Sequence, residues 1–166
     1  MLLLHISDIH FKDPLCHTDE DPELYFRNEL VAHAAAQIPD LGDVDAILVT
    51  GDIAFKGIAA EYNAATKWLE TLAVAVGCNK RRIYVVPGNH DVDRSIYKKA
   101  GNARNAVRAI SLAGDNDARE AELKAQLALK DSAKHLFAAI AEYNFFAAKY
   151  DCQTYPGRLR VQTHNQ

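Results

Sequence analysis

Residues 83–91 read Ile-Tyr-Val-Val-Pro-Gly-Asn-His-Asp. The run from Ile83 to Val86 is built from residue types that favour a strand. It stops at Pro87-Gly88, a pair that punctuates regular structure and marks a turn. An amide, an imidazole and a carboxylate then follow without a spacer. The apolar run shows no alternation with polar positions, which fits a strand covered on both faces, as in a parallel sheet between helices. Side chains able to bind a metal or move a proton are thus set at the carboxyl end of a buried strand.

The same pattern occurs twice earlier in the chain. Residues 2–6 form an apolar run, predicted as the first strand, and it ends in Ser7-Asp8-Ile9-His10. Residues 46–49 form a second run, which ends in Thr50-Gly51-Asp52. A helix is predicted between them. It starts at Asp21-Pro22, a capping side chain followed by proline at the first helical position. Leu24, Val31, Ala35 and Ile38 recur at helical spacing, and the helix is expected to end near Pro39. A second helix carries Tyr62, Ala65, Leu69, Leu72 and Val76 as its apolar stripe and closes at Gly77. The order strand, helix, strand, helix, strand predicts an α/β fold with parallel strands.

In an open parallel sheet the carboxyl ends of the strands border the ligand crevice. Three strands therefore bring Asp8, His10, Asp52, Asn89, His90 and Asp91 to one edge. Gly51 and Gly88 allow sharp exits and close backbone approach. Carboxylate, imidazole and amide oxygen without thiolate suit Mn, Fe, Zn or Ni. Asp8 and His10 are two residues apart and share one side where strand geometry persists, so they can hold one ion together. Asp52 can bridge to a second ion, to which Asn89 offers a neutral oxygen. Two divalent ions side by side can supply hydroxide at neutral pH and clamp both oxygens of an in-line phosphoryl displacement. That leaves His90 as proton donor to the leaving oxygen, with Asp91 orienting its ring. Arg94, just beyond, is a candidate contact to a phosphate oxygen.

At these residues the chain resembles the calcineurin-like metallophosphoesterase superfamily. Ser-Asp-Ile-His at 7–10 is similar to its D-x-H block, Val-Thr-Gly-Asp at 49–52 to its G-D block, and Pro-Gly-Asn-His-Asp at 87–91 to its G-N-H-D/E block. The blocks stand in the family's order, each behind a predicted strand, within residues 1–95. Residues 51–57 followed by Glu61-Tyr62 look most like a bacterial branch of predicted phosphohydrolases that includes cyclic-nucleotide phosphodiesterase-like members. The resemblance implies a four-layer α/β/β/α sandwich and metal-dependent hydrolysis of a phosphate ester, a phosphodiester first. It implies Asp8 and His10 on the first metal, Asp52 bridging, Asn89 on the second, and His90 as the acid. The implied cofactors are two divalent ions and the implied partner is a small phosphodiester or nucleotide. A DNA or RNA nuclease is the rival within the superfamily, and a non-catalytic binding or scaffold module is the rival outside enzymes.

The family's later histidine blocks, G-H-x-H among them, have no counterpart here. After the third block the histidines are His135 and His164. His135 falls in a predicted helix and reads as a surface or packing residue. His164 follows residues 158–163, which are too polar for a central strand. The expectation is the amino-terminal part of a longer protein: residues 1–95 as the first half of the core, 96–150 as a helical cap or packing segment, and 151–166 as an extended tail. A sheet face left open in this way would invite self-association or cover by a second chain.

Composition bounds the rest. The chain is 49% hydrophobic and 25% charged with a net charge of −3, which argues against a broad basic surface for nucleic acid but leaves a local contact open. Cys16, Cys78 and Cys152 are irregularly spaced, which fits neither a disulfide framework nor a thiolate metal site and suggests a reducing compartment. No stretch has the length of a membrane span, no basic segment precedes residues 1–4, and a cytoplasmic location is expected. Cys16-His17 reads as loop, Asp19-Glu20-Asp21 as a solvated helix start, and Lys80-Arg81-Arg82 as a solvated turn. His5 reads as a satisfied core histidine and Trp68 as packing.

Overall fold

A computed structural model describes residues 1–99 and 101–155. His164 and the polar residues 158–163 lie outside the described residues. Strands β1 (Leu3–Ile6), β2 (Ala46–Thr50) and β3 (Ile83–Val86) form one parallel sheet in the order β1-β2-β3. Leu3 lies opposite Ala46, and Ile47 opposite Ile83. Helix α1 (Leu24–Leu41) joins β1 to β2, and α2 (Ala59–Ala75) joins β2 to β3. The parallel α/β order expected from the apolar runs is the order found.

The chain forms two compact units. The first is built from Met1–Val92 and Glu142–Gln153. Its core is the central strand and the stripe of α2: Ile47, Val49, Ala65, Leu69 and Leu72 are fully buried. Helix α7 (Ala141–Ala147) adds Tyr143 and Phe146 to this core. The Tyr143 hydroxyl donates to the Val85 carbonyl at 3.0 Å, and Phe146 stacks on Tyr62 with ring centroids 5.0 Å apart. A buried phenol needs a partner, and here the strand backbone provides it.

The second unit is built on Asp93–Ala141. It holds α3 (Arg94–Lys99), α4 (Gly101–Leu112), α5 (Asn116–Ala128) and α6 (Lys130–Ala138), with α4 packed against the other three. Its buried residues Ala103, Ala106, Ala133 and Ala139 are small, which lets helix backbones approach closely. Asp115 caps α5 by accepting from the Ala118 amide at 2.8 Å. Helix α5 gives way to α6 at Leu129, where the chain is extended for one residue.

Several expectations need correction. Helix α1 runs through Pro39 to Leu41 and stops at Gly42, whose φ is 82°. A proline inside a helix forfeits only its own backbone bond, and the helix goes on for two residues until the Gly42 amide closes it on the Ile38 carbonyl at 2.8 Å. Asp21 is buried rather than solvated, and its carboxylate is paired with the buried Arg27. It also accepts from the Glu23 amide at 3.0 Å, the kind of capping bond expected of it, although regular helix starts two residues beyond Pro22, at Leu24. Strand β1 is not fully buried: Leu3 is 45% exposed and His5 is exposed, its ring bonded to the Thr50 hydroxyl at 2.6 Å. The reason is the face: by the strand register Leu3 and His5 share one side of the sheet with Leu48, Thr50, Tyr84 and Val86, none of them buried, whereas Ile6, Ile47, Val49, Ile83 and Val85 on the other side are. Trp68 packs as expected, its ring edge-on to Phe11 and its N–H directed to the Arg27 carbonyl at 3.3 Å. Among the described residues no helix is long and apolar enough to cross a membrane.

Candidate metal centre

Each of the first two strand exits turns at once into left-handed backbone. Asp8, His10 and Asp52 have φ of 57°, 51° and 50°, and Gly51 has φ of 87°. Non-glycine residues seldom adopt this region, at a cost on the order of 1–3 kcal/mol each, and hold it only where their surroundings over-determine it. Here the surroundings are backbone bonds that continue the pairing beyond the strands. The Asp8 amide donates to Gly51 O at 3.2 Å, His10 to Asp52 O at 3.0 Å, Phe11 to Ile53 O at 2.9 Å, and Gly51 to Val86 O at 3.0 Å. Strand geometry therefore does not persist across Asp8 and His10, contrary to the expectation. The two side chains still meet, with Asp8 Oδ1 3.9 Å from His10 Nε2.

Gly88 is required by contact. A Cβ there would lie 2.1 Å from Asp52 Oδ1 and 2.3 Å from the Asp52 amide. A Cβ on Gly51 would sit 3.0 Å from the Gly88 Cα. The exits of β2 and β3 are thus pressed together, and Asp52 Oδ1 accepts the His90 amide at 2.9 Å. The His90 ring stacks on Phe55 with centroids 5.1 Å apart and meets His10 edge-on at 4.9 Å. Its Nδ1 lies 3.0 Å from the Phe55 carbonyl oxygen. A carbonyl only accepts, so Nδ1 carries the hydrogen and Nε2 is left to face the site.

The result is a cluster in which one ligand atom from each of His10, Asp52 and His90 lies within 4.8 Å of the other two. His10 Nδ1 is buried and has no hydrogen-bond partner. A buried, unpartnered nitrogen is costly unless something binds it. Two imidazoles and a carboxylate, with a second carboxylate beside His10, form a donor set that fits a divalent transition metal.

Of the residues expected from sequence, the structure gathers His10, Asp52 and His90. Asp8 stands at the edge, its side chain 66% exposed. Asn89 is exposed on the turn between Gly88 and His90, and Arg94 is the exposed first residue of α3, in the second unit. Asp91 is corrected. It does not orient the His90 ring, because the turn tucks its carboxylate inward while His90 faces out. Asp91 is fully buried and accepts from the amides of Ile53 at 3.1 Å, Ala54 at 2.9 Å and Gly88 at 2.9 Å, and from the Tyr62 hydroxyl at 2.9 Å. Burial, reinforced by the Asp91 charge, pushes the Tyr62 phenol far above its ordinary range, so it remains a donor.

Sequence reasoning missed three supporting residues. Phe55 holds His90 by both ring and carbonyl, and Lys12 sits 4.8 Å from the Phe55 ring centroid. Glu61 is fully buried and accepts from the amides of Asp13 at 3.2 Å, Phe55 at 3.2 Å and Lys56 at 2.8 Å, which ties the loop after β1 to the loop after β2. The available signal was a glutamate beside a tyrosine that belongs to the apolar stripe of an amphipathic helix, since such groups are buried only with partners.

A family model for calcineurin-like phosphoesterases matches residues 1–151. A curated relative from Bacillus subtilis (strain 168), an uncharacterized metallophosphoesterase-like protein designated YydB, is 34% identical over 96 residues. The match covers 57% of this chain and 18% of the relative, so the chain spans under a fifth of that protein's length.

Proposed function

This chain belongs to the calcineurin-like phosphoesterase family, and we propose that it hydrolyses a phosphodiester. Family membership and the cluster of His10, Asp52 and His90 support metal-dependent hydrolysis of a phosphoester in general. The single observation that carries the reading is the convergence of those three side chains from three separate strand exits, with His10 Nδ1 buried and unpartnered.

In this reading His10 and Asp52 hold the cation, joined by Asp8 from the rim, and Asn89 offers its amide oxygen to a second. The chemistry that two divalent ions supply when bound is neutralisation of phosphate charge and acidification of water toward neutral pH. Asp52 is fixed for its part by the His90 amide, which donates to Oδ1. His90 serves as the proton donor to the leaving oxygen. Its ring is locked by the Phe55 carbonyl and stack, so a proton on Nε2 is held at one position. General acid catalysis of this kind contributes on the order of 10²–10⁴-fold.

The test uses the complete protein, manganese and a phosphodiester with an aryl leaving group. Asp52→Asn is expected to abolish turnover and to weaken manganese binding measured by calorimetry. Full turnover in that variant rejects the assignment. His90→Ala is expected to depress turnover about 10²-fold or more for alkyl leaving groups and far less for nitrophenolate, which needs no proton. Equal losses for the two would remove His90 from the acid role.

A further inference from the structure

Residues 94–114 contain Arg94, Lys98, Lys99, Arg104 and Arg108 and no acidic residue, in a chain whose net charge is −3. Arg94, Lys98 and Lys99 lie on α3 and Arg104 and Arg108 on α4, helices that pack against each other. All five are exposed. None of them makes an ion pair among the described residues, whereas Lys124 of α5 is paired with Glu120 at 2.7 Å. Arg94 and Lys98, and again Arg104 and Arg108, stand four residues apart. Like charges at this spacing share one side of a helix and cost stability. The fold gains nothing from the arrangement, and a polyanion would.

The kind of polyanion follows from what accompanies the charge. A membrane surface is bound by a helix that offers an apolar stripe beside its cations. Here α4 turns Ala103 and Ala106 inward, where they are buried. The large apolar side chain left exposed on α3 and α4 among the described residues is Leu112, at the last position of α4. Four residues along a helix advance about 6 Å, near two axial steps of about 3.4 Å along one strand of a duplex. A repeating phosphodiester satisfies this spacing, and a lipid surface does not need it.

We propose that the cationic face of α3 and α4 is a docking surface for a nucleic-acid strand, gripped through its phosphates and not its bases. The docking surface goes beyond the catalytic reading above and does not depend on it.

Binding is measured by fluorescence anisotropy of a labelled oligothymidylate with the complete protein in EDTA, so that no turnover occurs. If all five cations engage, affinity falls about 100-fold between about 50 and 200 mM salt, a log–log slope near −3.5. Arg104→Gln with Arg108→Gln is expected to shallow the slope by about 1.4 and to weaken binding at low salt by at least tenfold. Arg104→Lys with Arg108→Lys keeps the charge and should keep the slope, which separates lost contacts from lost folding. No binding at low salt, or an unchanged slope in the glutamine variant, overturns the proposal. So does binding to phosphatidylserine-containing vesicles without binding to the oligonucleotide. Turnover of a small aryl phosphodiester is followed in parallel with manganese. It should be unchanged in the glutamine variant, and its absence in the unaltered protein would sink the catalytic reading while leaving the docking result standing.

Discussion

Asp91 has no contact with solvent, and four donors converge on its two oxygens. Such a carboxylate holds its loops by charge-assisted bonds, each stronger than a neutral one. Asp91→Asn replaces one acceptor by an NH₂ facing backbone amides, and a loss of about 2–4 kcal/mol is expected from urea unfolding at unchanged m-value. Tyr62→Phe removes one donor and should cost about 1–2 kcal/mol in the same measurement. Adjacency in the chain misled the reading of Asp91 as the partner of His90, because neighbouring side chains in a tight turn point apart. Gly88 was legible, as a glycine at a strand exit. What sequence could not show is that the space is filled by Asp52 itself. Gly88→Ala is expected to keep the helical content seen by circular dichroism while weakening manganese binding about 10–100-fold, since the new methyl group must displace the Asp52 carboxylate.

Among the elements, β2, β3 and α2 were readable because their packing is local in pattern: unbroken apolar runs for the strands, a single stripe for the helix. Leu69 lies at the centre of that stripe with no exposure. Leu69→Ala should destabilise the first unit by about 2–5 kcal/mol in urea or thermal unfolding. Helix α1 was readable in its existence and its capping carboxylate and not in its exact ends, and no pattern showed that Asp21 also pairs with the buried Arg27. The role of α7 was not readable at all. Tyr143 reaches a carbonyl 58 residues away in the chain, and no periodicity carries information about so distant a partner. The exposure of β1 was hidden for a similar reason, since an apolar run reports what a strand could bury and not whether anything lies over it.

At the scale of the whole molecule, two buried phenols contribute to how stability responds to alkali. Burial, with the Glu70 charge adding, pushes the Tyr150 hydroxyl up to about 12, and Tyr62 is raised further. The folded protein therefore holds these protons at a pH where the unfolded chain has lost them. Their contribution is complete below the unfolded value of about 10 and is lost as pH rises toward the folded value. Urea midpoints should fall steadily above about pH 10, and Tyr150→Phe should flatten the part of the decline below about 12. The motif positions, the parallel sheet and the donor chemistry were all present in the order of residues. The left-handed conformation of Asp8, His10 and Asp52 was not, because it is imposed by amide bonds between exits that only the assembled sheet brings side by side. The Asp91 carboxylate also joins amides that lie 35 positions apart in the chain, Ile53 and Gly88. Neither can be freed without disturbing the anchor of the other. In deuterated buffer these two protons, with that of Ala54, should lose protection at one common rate, and a mass-spectrometric record should show the peptides around positions 53 and 88 taking up label as a single event.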